Sequence, residues 1–426
     1  MKIHLQYGRD GLDVEMPGDN VTVLRPQFVP GLADEQAGFV EAVRSPIGTG
    51  PLAEKIAATD RVAVVIADGT RALPSDRLLP WLFAELGHVP AANFTVIVGT
   101  GTHRPNTPEE IAGIVGPEVA TKYRVLNHNA YEKSTMAEVR PAADGIPALW
   151  MNREYVEADR RILVGFIEPH FMAGYSGGYK AIFPGVADLK SILHYHRAEM
   201  IGHPRSAWGV LEDNPTQAHI RRMGSALPVD FLLNVTLNHQ QQITRFYCGD
   251  MIAAHEAGCA FAKETAMVAC PGRYPLVITT NSGYPLDQNL YQSVKGMCAA
   301  AEIVAEGGEI VTVARCNDGF PSHGNFSAML AEYASAQEML DAVYAPGFHK
   351  LDQWQIQKFA QVLLQAKVSL YSELSPEQAR QAHLTPIGDL NDYLRQRIAG
   401  LGTGTPIAVL PEGPMTIPYV VEATFA

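Results

Sequence analysis

The sequence predicts an α/β protein of two domains. Each holds a mostly parallel or mixed sheet flanked by helices, and the active site is expected in the cleft between them. Three observations carry this prediction. First, unbroken apolar runs recur, RVAVVIAD from Arg61, FTVIV over residues 94–98 and RILVGFI over 161–167. Continuous apolar runs read as strands covered on both faces, as parallel strands are. Second, each run ends in a polar, glycine-containing turn that leads toward a new segment. Third, after Cys270-Pro271-Gly272 the rhythm restarts with PLVITTNS and GEIVTVARC. The expected organisation is an N-terminal α/β domain over 1–270 and a C-terminal α/β domain over 271–405. A tail over 406–426 is expected to pack back on the N-terminal domain.

The elements follow in order. Short β-like pieces at residues 3–7, 12–15 and 21–24 are separated by Gly and Asp. A helical pattern covers 33–43. After the strand from Arg61, Ser75 is expected to cap a helix running to Gly87. After the strand at 94–98 come a glycine-rich turn at 99–103 and Thr107-Pro108-Glu109-Glu110, a capping box with Pro in the first turn. Residues 231–238 and 243–248 read as a hairpin, and 250–268 as an amphipathic helix. Beyond the break lie a strand at 275–282, a helix at 289–304 and a strand at 308–316. Helices are expected at 326–343, 352–365 and 376–398, and a last strand at 405–413.

Composition narrows the partners. The chain has 426 residues, 47% hydrophobic and 18% charged, with a net charge of −12. That balance argues against nucleic acid or an anionic membrane as partner. Its five cysteines lie far apart and include no CxxC pair, so neither a zinc ribbon nor a disulfide framework is expected. The N-terminus lacks the apolar core of a signal peptide, and no apolar run reaches the ~18 residues of a membrane span. A cytoplasmic protein is the expectation.

The chemistry concentrates in EPHFMAGYSGGYKAIFPGVADLKSILHYH, residues 168–196. An acid, three histidines and Lys180 surround a flexible loop at a strand's end, where ligands sit in open α/β sheets. Lys180 lies among apolar residues and glycines, a setting in which a desolvated amine serves as a nucleophile or attachment point. His170 follows one strand end. His103 follows another, in Gly99-Thr100-Gly101-Thr102-His103-Arg104, which lacks the spacing of a dinucleotide fingerprint or P-loop. Both histidines suit proton transfer at neutral pH. Asp68, Gly69, Thr70 and Arg71 end the first strand and can hold an anion through backbone N–H groups and a guanidinium fork. His194 and His196 are two apart and point to different faces of a helix. Gln292 and Lys295, three apart, share a helix face and suit a substrate carboxylate.

Together DGTR, GTGTHR, EPHFMAGYSGGYKAIFPG, HYH and YQSVK, in this order along the chain, resemble the nickel-dependent lactate racemase family. The resemblance implies a nickel-pincer nucleotide, a pyridinium mononucleotide whose two thiocarboxylate arms grip Ni(II). It implies covalent attachment at Lys180 and His196 as the protein's nickel ligand. By the same resemblance His103 and His170 are the acid/base pair. Asp68, Gly69, Thr70 and Arg71 touch the cofactor, and Gln292 and Lys295 bind substrate. Trp354 matches an aromatic beside the substrate, and His194 is left structural. The implied reaction is inversion of the α-carbon of a 2-hydroxy acid, lactate or a relative, by reversible hydride transfer. Cofactor-synthesis enzymes are implied partners. Two departures from the family pattern lie beside the site: Ala72 where Pro is usual and Tyr179 where Arg is frequent. An NAD-type 2-hydroxy acid dehydrogenase and a non-catalytic nickel or cofactor carrier are the alternatives. The dehydrogenase lacks its glycine fingerprint and the acidic residue ~20 positions later.

Overall fold

The computed structural model describes residues 1–17, 20–321, 324–402 and 404–421; residues 422–426 of the expected tail lie outside these. The fold is mixed α/β, as the apolar runs predict. The chain forms two compact units, each taken by itself below. A central unit comprises Phe28–His196 and Arg205–Glu264. A terminal unit comprises Met1–Gln27, Arg197–Pro204 and Thr265–Ala426.

The central unit is built on six strands: β1 (Val62–Ala67), β2 (Phe94–Gly99), β3 (Arg124–Asn127), β4 (Arg160–Phe166), β5 (Phe231–Leu237) and β6 (Ile243–Gly249). Their order is β6-β5-β4-β1-β2-β3. All neighbours are parallel except β5 and β6, the expected hairpin. The middle strands read as unbroken apolar runs because both of their faces are covered. Phe39, Val64, Leu82, Phe94, Ile162 and Leu233 share one core. Helices α1 (Glu35–Arg44), α2 (Ser75–Glu85) and α3 (Pro108–Val115) contribute to this core, and the unit also holds α4 (Leu189–Tyr195) and α5 (Ala253–Ala266).

Helix ends follow their local chemistry. Thr107 and Glu110 form the expected capping box at the start of α3. Ser75 does not cap α2. Pro74 holds the cap position, and Ser75 sits inside the first turn with its hydroxyl buried.

The terminal unit has an all-parallel sheet. Its strands are β7 (Tyr274–Thr280), β8 (Val304–Val313), β9 (Lys367–Tyr371), β10 (Thr385–Pro386) and β11 (Ile407–Leu410), with Val21–Val23 at one edge. The order is β10-β9-β8-β7-β11 and then the edge strand. A hairpin of Lys2–Leu5 and Leu12–Glu15 buries Ile3, Leu5 and Val14 against this sheet's core. Helix α6 (Leu290–Ala301) starts at Asn289, whose side chain accepts the Gln292 N–H.

Three expected helices differ from the structure. Residues 376–398 form two helices, Pro376–Gln381 and Leu390–Leu401, with β10 between them. Pro386 has no N–H for a helix and drives Thr385 into the extended region. Residues 326–343 also split, because Ser335 caps a new helix by accepting the Glu338 N–H. The helix expected to reach 268 stops at Ala266; Met267–Cys270 is a strand paired parallel to Ile417–Val420. Among the described residues no helix is long and apolar enough to cross a membrane.

Leu82, fully buried in the core of the central unit, gives a direct test of this packing. Leu82→Ala should lower stability by roughly 2–5 kcal/mol in chemical denaturation. A loss under about 0.5 kcal/mol, the scale of a neutral surface change, would contradict the burial described here.

Candidate active site

The site of the central unit lies where its strand order reverses. The chain runs from β1 outward to β2 and β3, then returns to β4 on the other side of β1. The loops that leave β1 and β4 therefore diverge at their C-terminal ends and open a crevice, the usual ligand position in such sheets. Asp68–Arg71 leave β1, Gly99–His103 leave β2, and the segment from Ile167 to Lys180 leaves β4.

Asp68 is buried at the tip of β1. Its Oδ1 accepts the Thr70 hydroxyl at 2.7 Å and the Thr70 N–H at 3.2 Å. Its Oδ2 lies 2.6 Å from Nδ1 of His103. Burial pushes the carboxyl up, but the His103 charge and hydrogen bond, with Arg71 and Thr70 behind them, outweigh it and hold Asp68 at about 2. An ionised Asp68 can only accept, so Nδ1 of His103 carries the hydrogen. In the neutral ring Nε2 then bears the lone pair, with the ring orientation set by Asp68. The rest of the turn is fixed by backbone and hydroxyl hydrogen bonds. Gly101 N–H donates to Gly185 C=O at 2.9 Å, and the Thr100 hydroxyl donates to His128 C=O at 2.6 Å.

Lys180 sits in a short 3-10 turn, Gly178–Ala181, and is half-buried. Burial lowers its amine, Arg71 lowers it further, and Glu168 and Asp68 raise it; the balance is about 8. Far more of this amine is unprotonated near neutral pH than of a free lysine. Arg71 places Nη1 out of solvent with no hydrogen-bond partner among the described residues. A guanidinium left so is suited to an anion.

His196 is the C-cap of α4 and is buried. Its Nδ1 donates to Ile192 C=O at 2.9 Å, since a carbonyl can only accept. That fixes the tautomer and leaves the lone pair on Nε2, the arrangement of a metal-ligating histidine. Burial pushes its pKa down to about 3 against that hydrogen bond, with Lys180 and His219 adding to the fall. The ring is neutral at pH 7. His194, two residues earlier, faces His219 at 5.8 Å between ring centroids. Among the described residues no group of three or more His, Cys, Asp and Glu is placed to hold a metal ion.

His170 is oriented in the opposite sense from His103. Its Nδ1 accepts the N–H groups of Met172 and Ala173, both at 3.2 Å. The ring hydrogen of the neutral form is therefore on Nε2.

Of the residues singled out from sequence, Asp68, Thr70 and His103 form one hydrogen-bonded group, and Arg71, Lys180 and His196 are linked to it by charge. Gly69 N–H is held by Asn106 Oδ1 at 3.3 Å. Asn106 is locked in turn to Asn127, whose Oδ1 accepts its backbone and side-chain N–H groups and whose amide donates to its carbonyl. Motif reading does not find this asparagine pair. Its one signal is a polar side chain ending each of two neighbouring segments. In the terminal unit, Lys295 donates to Gln292 Oε1 at 2.7 Å on α6, and Trp354 Nε1–H donates to the Tyr291 hydroxyl at 2.8 Å.

Comparison with known proteins places the chain in a family. Residues 7–209 match the model of the lactate racemase N-terminal domain, and 272–417 that of the lactate racemase C-terminal domain. A lactate racemase of Lactiplantibacillus plantarum is 34% identical over 383 residues, 89% of this chain and 90% of that protein. One from Thermoanaerobacterium thermosaccharolyticum is 32% identical over 420 residues, 96% and 97% of the two chains. The solved lactate racemase apoprotein of T. thermosaccharolyticum superposes with a TM-score of 0.89 at 31% identity, covering 99% of this chain and 100% of its own. A Thermotoga maritima protein shares the fold alone, with a TM-score of 0.72 at 16% identity over 91% and 98% of the chains. The chain belongs to the lactate racemase family.

Proposed function

We propose that this protein is an isomerase that inverts the α-carbon of a 2-hydroxy acid, lactate or a close relative, using a nickel-pincer nucleotide tethered at Lys180. The observation that carries the reading is the grouping at one strand-order reversal of an oriented base, a lowered amine and a neutral, tautomer-fixed histidine. The family relationship supports racemisation, and these residues support the finer assignment.

The donor set fits the cofactor. An unprotonated Lys180 amine is the form that condenses with a carboxyl-derived arm. His196 offers one imidazole lone pair, so the remaining nickel ligands would come from the cofactor, in keeping with the borderline-soft preference of Ni(II). Arg71 would face its phosphate or the substrate carboxylate, while Gly69 and Thr70, whose N–H groups are held by Asn106 and Asp68, fix the turn beside it. When bound, the group supplies a reversible acceptor for the α-hydrogen as hydride.

The chain's own residues then manage the proton and the orientation. His103 takes the hydroxyl proton at Nε2, and Asp68 stabilises the imidazolium that forms while keeping the ring aligned. Loss of the hydroxyl proton with the α-hydrogen leaves a bound 2-keto acid. His170 is assigned as the second acid/base group, acting through Nε2, the ring nitrogen opposite the one that accepts the Met172 and Ala173 N–H groups. Gln292 and Lys295 are assigned to the substrate carboxylate, a role that predicts a rise in KM when either is truncated.

Expression with the cofactor-synthesis enzymes and nickel should yield a covalent adduct in the intact mass. Lys180→Ala should lack it, and an unmodified protein with full racemase activity would refute the reading. His103→Ala and His170→Ala should each abolish racemisation of enantiopure 2-hydroxy acids in a chiral assay. Asp68→Asn, which removes the charge that orients His103, should lower kcat by roughly 10²–10⁴-fold, by analogy with the carboxylate of a catalytic triad. Activity within twofold of wild type in that variant would exclude the dyad. In the apo-protein, acylation of the Lys180 amine should reach half its limiting rate near pH 8 rather than near the free-lysine value of about 10.4. The Asp68 carboxyl is depressed, so its contribution to stability is complete above about pH 4 and lost as pH falls through about 2. Asp68→Asn should flatten acid unfolding over that window.

A further inference from the structure

The segment that carries Lys180 is gripped from two sides by side chains with no role in the chemistry above. Asn234 lies in the middle of β5, buried, opposite Gly165 of β4 in the parallel register. Its Oδ1 accepts the Gly178 N–H at 2.9 Å, and its amide nitrogen donates to Leu233 C=O at 3.1 Å. The room for this side chain is made by two glycines. A Cβ at Gly165 would come within 2.9 Å of the Asn234 nitrogen, and one at Gly177 within 2.6 Å of its oxygen. Gly177 and Gly178 both take left-handed backbone, at φ 81 and 55.

On the other side stands His255 of α5, also buried. Its Nε2–H donates to Ser176 C=O at 2.9 Å, and Cys259 Sγ lies 3.4 Å from the same nitrogen. A Cβ on Gly178 would meet the His255 ring at 2.8 Å. Residues 176 and 178, on either side of Gly177, are thus held by one buried donor and one buried acceptor. Two residues on, Lys180 N–H donates back to Gly177 C=O at 3.1 Å.

We infer that Asn234 and His255 are positioning residues, which clamp the Gly177-Gly178 turn so that the Lys180 amine is presented in one place for covalent attachment. A free glycine pair samples many backbone conformations. Without either side-chain hydrogen bond, the turn would spread the amine over several positions, and condensation with a bound arm would slow in proportion to the time spent out of place. This inference rests on the reading of Lys180 as the tether.

The test is adduct occupancy, read by intact mass on the soluble, folded protein after co-expression with the cofactor-synthesis enzymes and nickel. Thermal midpoints of the same samples serve as the control for folding. His255→Gln keeps an N–H near the position of Nε2 and should retain occupancy. His255→Asn is polar but too short to reach Ser176 C=O; its occupancy should fall by roughly tenfold or more, the scale on which removing a supporting hydrogen bond weakens a metal site. Asn234→Ala should fall likewise. A purely structural role would lower the thermal midpoints of His255→Asn and Asn234→Ala while leaving occupancy of the folded fraction at the wild-type level, and that result would overturn the inference. If one variant does not fold, the other decides. An adduct that survives Lys180→Ala would defeat the tether itself and this inference with it, a result distinct from wild-type occupancy in the clamp variants.

Discussion

The carboxylate of Asp68 is the constraint on which the site depends. A buried anion is costly unless it is paired and hydrogen-bonded, and this one is satisfied by its surroundings: Thr70 on one oxygen and His103 on the other. The same charge is felt by Lys180, where it offsets part of the lowering imposed by burial and Arg71. One acid thus fixes the tautomer of a histidine and moderates an amine. Asp68 holds its place because it ends β1, the strand from which the sheet grows in both directions.

The histidines show how the same ring is given different properties by the partners around it. A carboxylate at Nδ1 leaves His103 a lone pair at Nε2. Two N–H groups at Nδ1 leave His170 its hydrogen at Nε2. A carbonyl at Nδ1 leaves His196 a lone pair, and burial keeps that ring neutral. None of the three assignments follows from the residue type. Each follows from what the adjoining segment offers.

The strands of the central unit are legible in the sequence because continuous apolar runs are hard to place anywhere but in a covered parallel sheet. The DGTR and GTGTHR turns and the segment around Lys180 are legible as strand ends for the same reason. Other features turn on one neighbouring residue or on residues far apart in the chain. Ser75 looks like a cap, yet Pro74 takes that place. The split of residues 376–398 is signalled by Thr385-Pro386, but the helical propensity on both sides conceals it. KVSLY, residues 367–371, is too short to separate from the preceding helix by periodicity. Asn234 stands out as one polar residue in FLLNVTL, but only its position opposite Gly165 and Gly178 gives it a meaning. His255 reads as an ordinary helical histidine until the Ser176 carbonyl is placed above it.

The edge strand Val21–Val23 pairs with β11, joining Val21 to Ile407 and Val23 to Val409. Nearly the whole chain separates these partners, whereas the central unit is finished by Glu264. On a ribosome the two units therefore mature at different times. The central sheet, with its strands all made by residue 249, has what it needs while the remainder is still being synthesised. The terminal sheet has to wait, its first strand unpaired, until residue 409 emerges. Closing so long a loop is the kind of non-local step that slows folding, and an unpaired edge is a template for pairing with another chain. A nascent chain halted before residue 409 therefore carries this edge strand without its partner.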